Sequence, residues 1–132
     1  MITKKCFAIS TYAEVEEIIK AKIKKKDILI IFIKNYLITG FGIEWLRSFI
    51  QVIRKKYNKY NIKFYVDGGT DYGLSILILD EDINYLKLRS NKVILEKINQ
   101  IAKKNKVLLN PTFDVVDLTK IKNIQNKLKI RL

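Results

Sequence analysis

The run Asp27–Lys34, DILIIFIK, constrains this chain more than any other stretch. It is a near-continuous series of apolar, mostly β-branched residues without polar alternation, the signature of a strand covered on both faces. The sequence around it repeats one pattern, a short apolar run followed by an amphipathic stretch. CFAIS (6–10) reads as a strand, and TYAEVEEIIKAKIKKK (11–26) as a helix with Val15, Ile18, Ile19 and Ile23 on one face. Thr11 and Glu14 have the spacing of a capping box, in which each side chain satisfies the other residue's backbone N–H. After a loop containing Gly40 and Gly42, IEWLRSFIQVIRKKYN (43–58) places Leu46, Phe49, Ile50, Ile53 and Tyr57 on one helical stripe. IKFYV (62–66), YLKLR (85–89) and VLLN (107–110) read as further strands. NKVILEKINQIAKKN (91–105) aligns Ile94, Ile98 and Ile101 on a helix capped by Ser90 or Asn91. The tail from Leu118 repeats the helical spacing with Ile121, Ile124 and Leu128.

Strands separated by helical patterns of this length predict βαβ crossovers. The expected fold is a single α/β domain over residues 1–132 with a mostly parallel five-stranded sheet, flavodoxin-like or resembling half of a barrel. The pivot is FYVDGGTDYGLSIL (64–77), where two apolar runs flank an aspartate and two glycines. If GLSILIL were a strand, DGGTDY would be a hairpin loop and the middle of the protein an antiparallel meander. Leucine-rich content, Thr70 or Asp71 as candidate N-caps, and the regular alternation on either side predict a helix over 72–80.

At 132 residues and 48% hydrophobic content, the chain is long enough for one core. No apolar run approaches the roughly 20 residues that cross a bilayer, and no secretory signal is visible. Cys6 is the one cysteine, which excludes an internal disulfide and predicts a reducing, cytoplasmic setting. At the start of a strand it reads as a small buried hydrophobe rather than a nucleophile. The net charge of +13 raises the question of nucleic acid. The basic residues are 22 Lys against 4 Arg, beside abundant Ile, Asn and Tyr, a bias that AT-rich codons produce without selection for binding. The lysines also cluster at helix ends, in 22–26, 54–56, 103–104 and Lys127, Lys129 and Arg131, where they complement the helix macrodipole. A parallel α/β domain gathers those ends into one basic rim, opposite a neutral to acidic end carrying Asp67 and Asp71.

Two resemblances attach to particular residues. VDGGTDYGLSILILDEDINYLKL, preceded by GIEWLRSFIQVIRKKY, resembles small uncharacterised alphaproteobacterial proteins over about two-thirds of the chain. That likeness implies the helical reading of 72–80 and brings no activity. IIFIKNYLITGFGIEWLRSFI is similar to the sulfate-transporter and anti-sigma-antagonist (STAS) domain, in which a buried strand leads to a Ser/Thr-Gly loop and an amphipathic helix. The resemblance puts Thr39, followed by Gly40, in the place of the regulatory phosphosite. It departs from the family just before that position, where Leu37 and Ile38 stand instead of an acidic residue.

Ligands of open parallel sheets bind beyond the carboxyl ends of the strands. Here those ends carry Ser10 and Thr11, Asn35, Asp67 with Gly68 and Gly69, Arg89 with Ser90 and Asn91, and Asn110 with Thr112. The candidate ligand-binding set is Asp67, Gly68, Gly69, Asp71, Asn35, Arg89 and Asn110. The glycines let a backbone approach a ligand, and the helix after them attracts an anion, although Asp67 repels one. The same residue types are also the usual formers of turns and caps. The absence of histidine and the lone cysteine exclude the common zinc sites and Ser-His or Cys-His catalysis. No dinucleotide fingerprint, phosphate-binding loop or calcium loop is present, so no cofactor and no metal are expected, and DEDIN (80–84) reads as a solvated turn.

Three functions stay open. The first is a non-catalytic module acting through protein contacts, a partner protein or a homodimer, over an apolar patch that includes Trp45 or Phe41. The second is a small-molecule site, with or without catalysis, at the strand carboxyl ends around Asp67, Gly68, Gly69 and Asn35. The third is non-specific nucleic-acid binding through the lysine rim.

Overall fold

The stretch after Gly69 coils rather than extends. In the computed structural model, which describes residues 4–21 and 26–119, the elements run β1 (Lys4–Ala8), α1 (Tyr12–Lys20), β2 (Ile28–Ile33), α2 (Asn35–Phe41), α3 (Ile43–Lys56) and β3 (Asn61–Asp67). They continue as α4 (Tyr72–Leu79), β4 (Tyr85–Lys87), α5 (Lys92–Lys104), β5 (Leu108–Leu109) and β6 (Val115–Asp117). Asp71 starts α4, its side chain accepting the Leu74 N–H at 2.9 Å. Asn91 caps α5 in the same way, on Ile94 at 2.9 Å. At α1 the predicted capping box is half built. Thr11 Oγ1 accepts the Glu14 N–H at 3.3 Å, but the Glu14 carboxylate turns back to Ser10, taking its N–H at 3.0 Å and its hydroxyl at 2.6 Å.

The sheet has six strands, not the expected five, in the order β5-β4-β3-β2-β1-β6, and every pairing is parallel. The sixth, β6, lies against β1 with Phe7 opposite Val116. From β1 to β5 the chain advances one neighbour at a time in one direction, and right-handed crossovers then place every described helix on the same side. The packing agrees. Phe7, Ile31, Phe64 and Leu86 alternate onto one face, and the main core joins them to Val15, Leu37, Phe49, Ile78 and Ile98 from the five described helices. The other face carries Cys6, Ala8, Ile30, Phe32, Tyr65 and Tyr85, with Ile28 and Phe113 packed against them and no residue of a described helix.

Among the described residues this differs from the flavodoxin-like alternative, which needs helices on both faces, and not from the half-barrel one, whose helices cover a single face. β2 is apolar on both sides, as its composition requires, yet only one side meets a described helix. Residues 110–114 run from β5 back to β6 and bring Phe113 onto the side that no described helix covers, its ring 4.9 Å from Tyr85 and 5.8 Å from Tyr65. A second difference is α2, which occupies most of the expected loop around Gly40 and buries Leu37 and Ile38. The tail pattern of Ile121, Ile124 and Leu128, and Ile23 of the first helix, lie outside the described residues.

Candidate functional site

At the end of β3 the predicted residues form a closed network of hydrogen bonds. The Asp67 carboxylate accepts the Gly69 N–H at 2.8 Å, and Asn35 Nδ2 donates to the Asp67 carbonyl at 3.1 Å. Gly68 N–H donates to the Lys87 carbonyl at 2.8 Å, and Arg89 N–H to the Gly69 carbonyl at 2.8 Å, so the turn continues the β3–β4 ladder. Both glycines are needed for this packing. Gly69 has φ +64, and a Cβ there would lie 3.1 Å from the Asn35 amide; a Cβ on Gly68 would lie 2.3 Å from Ser75 Oγ. Ser75 is fully buried and donates to the Asp71 carbonyl at 2.8 Å, which ties α4 to the turn.

The structure therefore brings Asn35, Asp67, Gly68, Gly69 and Asp71 together, along with the backbone of Arg89. Their polar groups serve one another, as turn and cap residues do. Asn110 stands apart and extends the sheet. Its side chain accepts the Leu88 N–H at 2.8 Å and donates to the Leu88 carbonyl at 3.0 Å, acting as one more rung between β4 and β5. Thr39 is exposed on α2, not in a loop, and its hydroxyl bonds back to the carbonyls of Asn35 and Tyr36 at 3.4 and 3.3 Å.

Beyond the same strand ends, on the side that no described helix covers, lies an open cleft of about 600 Å3. Phe32, Tyr65 and Phe113 form its aromatic wall, Pro111 to Val115 its far side, and Lys87 its polar contribution from the sheet. Strand alternation explains the grouping. Tyr65 and Asp67 on β3 share a face with Tyr85 and Lys87 on β4, and Asp67 pairs with Lys87 in the register. The Lys87 ammonium stands 5.7 Å from the centre of the Phe32 ring, and among the described residues it makes no hydrogen bond or ion pair. Of the residues lining this cleft, only Thr112 belongs to the polar set predicted at the strand ends. The missed signal was the shared parity of aromatic and charged residues in KFYVD and YLKLR, where Tyr65, Asp67, Tyr85, Lys87 and Arg89 point one way while Phe64, Val66, Leu86 and Leu88 point the other.

The electrostatics of this face follow from partial burial. Burial pushes the Cys6 thiol up to about 12 and, assisted by the charges of Cys6 and Asp67, pushes the Tyr65 hydroxyl up to about 12. Tyr85 moves in the same direction, again chiefly by burial. Lys34, on the same face at the end of β2, pairs with Asp117 of β6 and also donates to Thr119 Oγ1 at 3.2 Å. Burial raises the Asp117 carboxyl, but the hydrogen bonds from Lys34 and from the Thr119 hydroxyl and N–H together outweigh it and bring it down to about 2. With Lys34, Lys87 and Arg89 beside Asp67 and Asp117, this end of the sheet is mixed in charge, not neutral to acidic as predicted. The last turns of α3 and α5 do carry lysines, as expected. Residues 22–25, Lys127, Lys129 and Arg131 of the proposed rim lie outside the described residues.

Among the described residues, no group of three or more Cys, Asp and Glu side chains is placed to hold a metal ion, and no helix is long and apolar enough to cross a membrane. DEDIN is a bridged turn: Glu81 takes a bidentate bond from Arg47 at 2.9 and 3.0 Å, and Asn84 Oδ1 accepts the Phe64 N–H at 3.0 Å. No family model matches the chain, and no curated protein matches it closely.

Proposed function

We propose that this chain is a non-catalytic cytoplasmic binding domain that takes a small planar anion, an aromatic carboxylate, in the cleft beyond the carboxyl ends of β2, β3 and β4. The observation that carries this reading is Lys87, an ammonium without an ionic partner among the described residues, set against the Phe32 ring beside Tyr65 and Phe113. A ring slides between Phe32 and Phe113, and the carboxylate meets Lys87. The cleft's size falls within the roughly 300–1,000 Å3 of small-molecule sites, and its position obeys the general rule for open parallel sheets. Exposed Asp114 at the mouth disfavours a multiply charged phosphate, so a single negative charge fits best.

The test is calorimetric titration with naphthalene-2-carboxylate and its uncharged analogue naphthalene-2-methanol. The carboxylate binds the parent at least about tenfold more tightly than the alcohol, equivalent to 1.4 kcal/mol, and Lys87→Met erases that difference. Equal affinity for both compounds, or a Lys87→Met variant that keeps the preference, overturns the reading.

A further inference from the structure

The opposite side of the molecule carries a stack of aromatic rings that the cleft does not involve. Phe41, Trp45, Phe49 and Tyr12 follow one another with ring centres 5.4, 5.0 and 4.8 Å apart. Phe49 is buried, but the stack surfaces at both ends, with Phe41 65% and Tyr12 45% exposed, and Val52 beside it is 46% exposed. Scattered exposed apolar side chains need no explanation, whereas here exposed Phe41, Tyr12 and Val52 are joined through half-buried Trp45 and buried Phe49, and a connected apolar patch marks an interaction surface.

The neighbouring stripe of α3 identifies the partner. Glu44, Ser48, Gln51 and Lys55 are spaced four, three and four residues apart, so they share one helical face, and all four are exposed. Read in the opposite direction, the stripe is complementary to itself: acid meets base at both ends, and two neutral polar residues meet in the middle. Only an antiparallel approach does this; a parallel one sets Glu44 on Glu44 and Lys55 on Lys55. Lys55 makes no ion pair among the described residues. Self-complementarity of one patch, with residue i touching j and j touching i, is the condition for a two-fold interface.

We infer that this face docks a second copy of the same chain, the two α3 helices crossing antiparallel about a two-fold axis that passes between Ser48 and Gln51. The aromatic stacks of the two copies then flank the axis, and each Glu44 faces the Lys55 of the other copy. The net charge of +13 opposes self-association at low salt, so the contact is measured near 0.15 M, where the screening length is about 8 Å.

The experiment is sedimentation equilibrium of the whole chain at that ionic strength, from about 1 to 200 μM, with the emission of Trp45, the chain's one tryptophan, followed in parallel. The parent forms a dimer within that range and its Trp45 emission shifts to the blue as it does. Val52→Lys, at an exposed position that leaves the monomer folded by circular dichroism, weakens the dimer at least about tenfold by burying a charge. Glu44→Lys and Lys55→Glu each weaken it, because each places like charges opposite one another twice, and the double variant Glu44→Lys with Lys55→Glu recovers parental dimerisation to within about twofold. A chain that stays monomeric at 200 μM overturns the inference. So does a double variant no better than either single one, the result expected if the face binds an unrelated acidic protein instead.

Discussion

Replacing Gly68 by alanine tests whether the turn after β3 is a close contact between strand and helix. The added Cβ would lie 2.3 Å from Ser75 Oγ and 3.3 Å from the Lys87 carbonyl. Ser75 is fully buried and its hydroxyl is held on the Asp71 carbonyl at 2.8 Å, so it has nowhere to retreat without breaking that bond or moving α4. Overpacking of this kind costs about 1–3 kcal/mol. The lower entropy of the unfolded alanine chain returns about 0.4–1 kcal/mol, which leaves a net loss of about 1.3 kcal/mol at the middle of both ranges and at most about 2.6 kcal/mol. Ser75→Ala alone costs little, about 0.5–1 kcal/mol, because the Asp71 carbonyl still accepts the Ser75 N–H at 3.0 Å and is not orphaned. With the hydroxyl gone, the new methyl group meets Ser75 Cβ at 3.4 Å, an ordinary contact. The tight 3.3 Å approach to the Lys87 carbonyl remains, so the double variant should lose clearly less than the sum of the two single losses, with a favourable coupling of about 1–2 kcal/mol. Urea denaturation followed by circular dichroism measures each corner of the cycle. A Gly68→Ala protein as stable as the parent, or two losses that simply add, would refute the contact and the claim that this glycine serves the fold.

Other perturbations follow from the buried and paired groups. Asp117 has its folded value depressed from 3.8 to about 2, so its contribution to stability is complete above about pH 3.8 and is lost as the pH falls through about 2; Lys34→Met should remove that part of the acid sensitivity in pH-dependent melting. Cys6 has its folded value raised from 9.0 to about 12, so the unfolded chain ionises first and stability declines as pH rises above 9.0; Cys6→Ala should flatten that alkaline slope. For the same reason the native thiol should stay unreactive toward a disulfide reagent at pH 8 and react only on unfolding, and rapid native labelling would contradict its burial.

Local chemistry was the part of this fold that the sequence made readable. Thr11 caps its helix where its side chain and spacing placed it, Asp71 and Asn91 are the members of the pairs Thr70 or Asp71 and Ser90 or Asn91 that cap theirs, and 72–79 coils because Asp71 and Ser75 anchor its first turns. What was hidden depends on partners distant in sequence. β6 is short and is held by β1 from the far end of the chain, so its three residues carried too weak a pattern to stand out. Gly40 suggested a loop, whereas the burial of Leu37 and Ile38 makes a helical turn there worthwhile. The run in β2 predicted two covered faces correctly, but an apolar run does not say whether helices or a return segment such as 110–114 does the covering. That is also why the candidate site shifted. Asn35, Asp67 and Gly69 are polar at the strand ends because they satisfy one another, while the cleft beside them draws on Phe32, Tyr65, Lys87 and Phe113, residues whose convergence follows from the strand order and the return of the chain to β6.

The most direct test of the binding site is where a ligand sits. In an isotope-filtered nuclear Overhauser spectrum of the chain with naphthalene-2-carboxylate, ring protons of the ligand should show contacts to Phe32, Tyr65 and Phe113 and to the Lys87 side chain. Contacts confined to α1 and α3, or to the turn at Gly68 and Gly69, would contradict it.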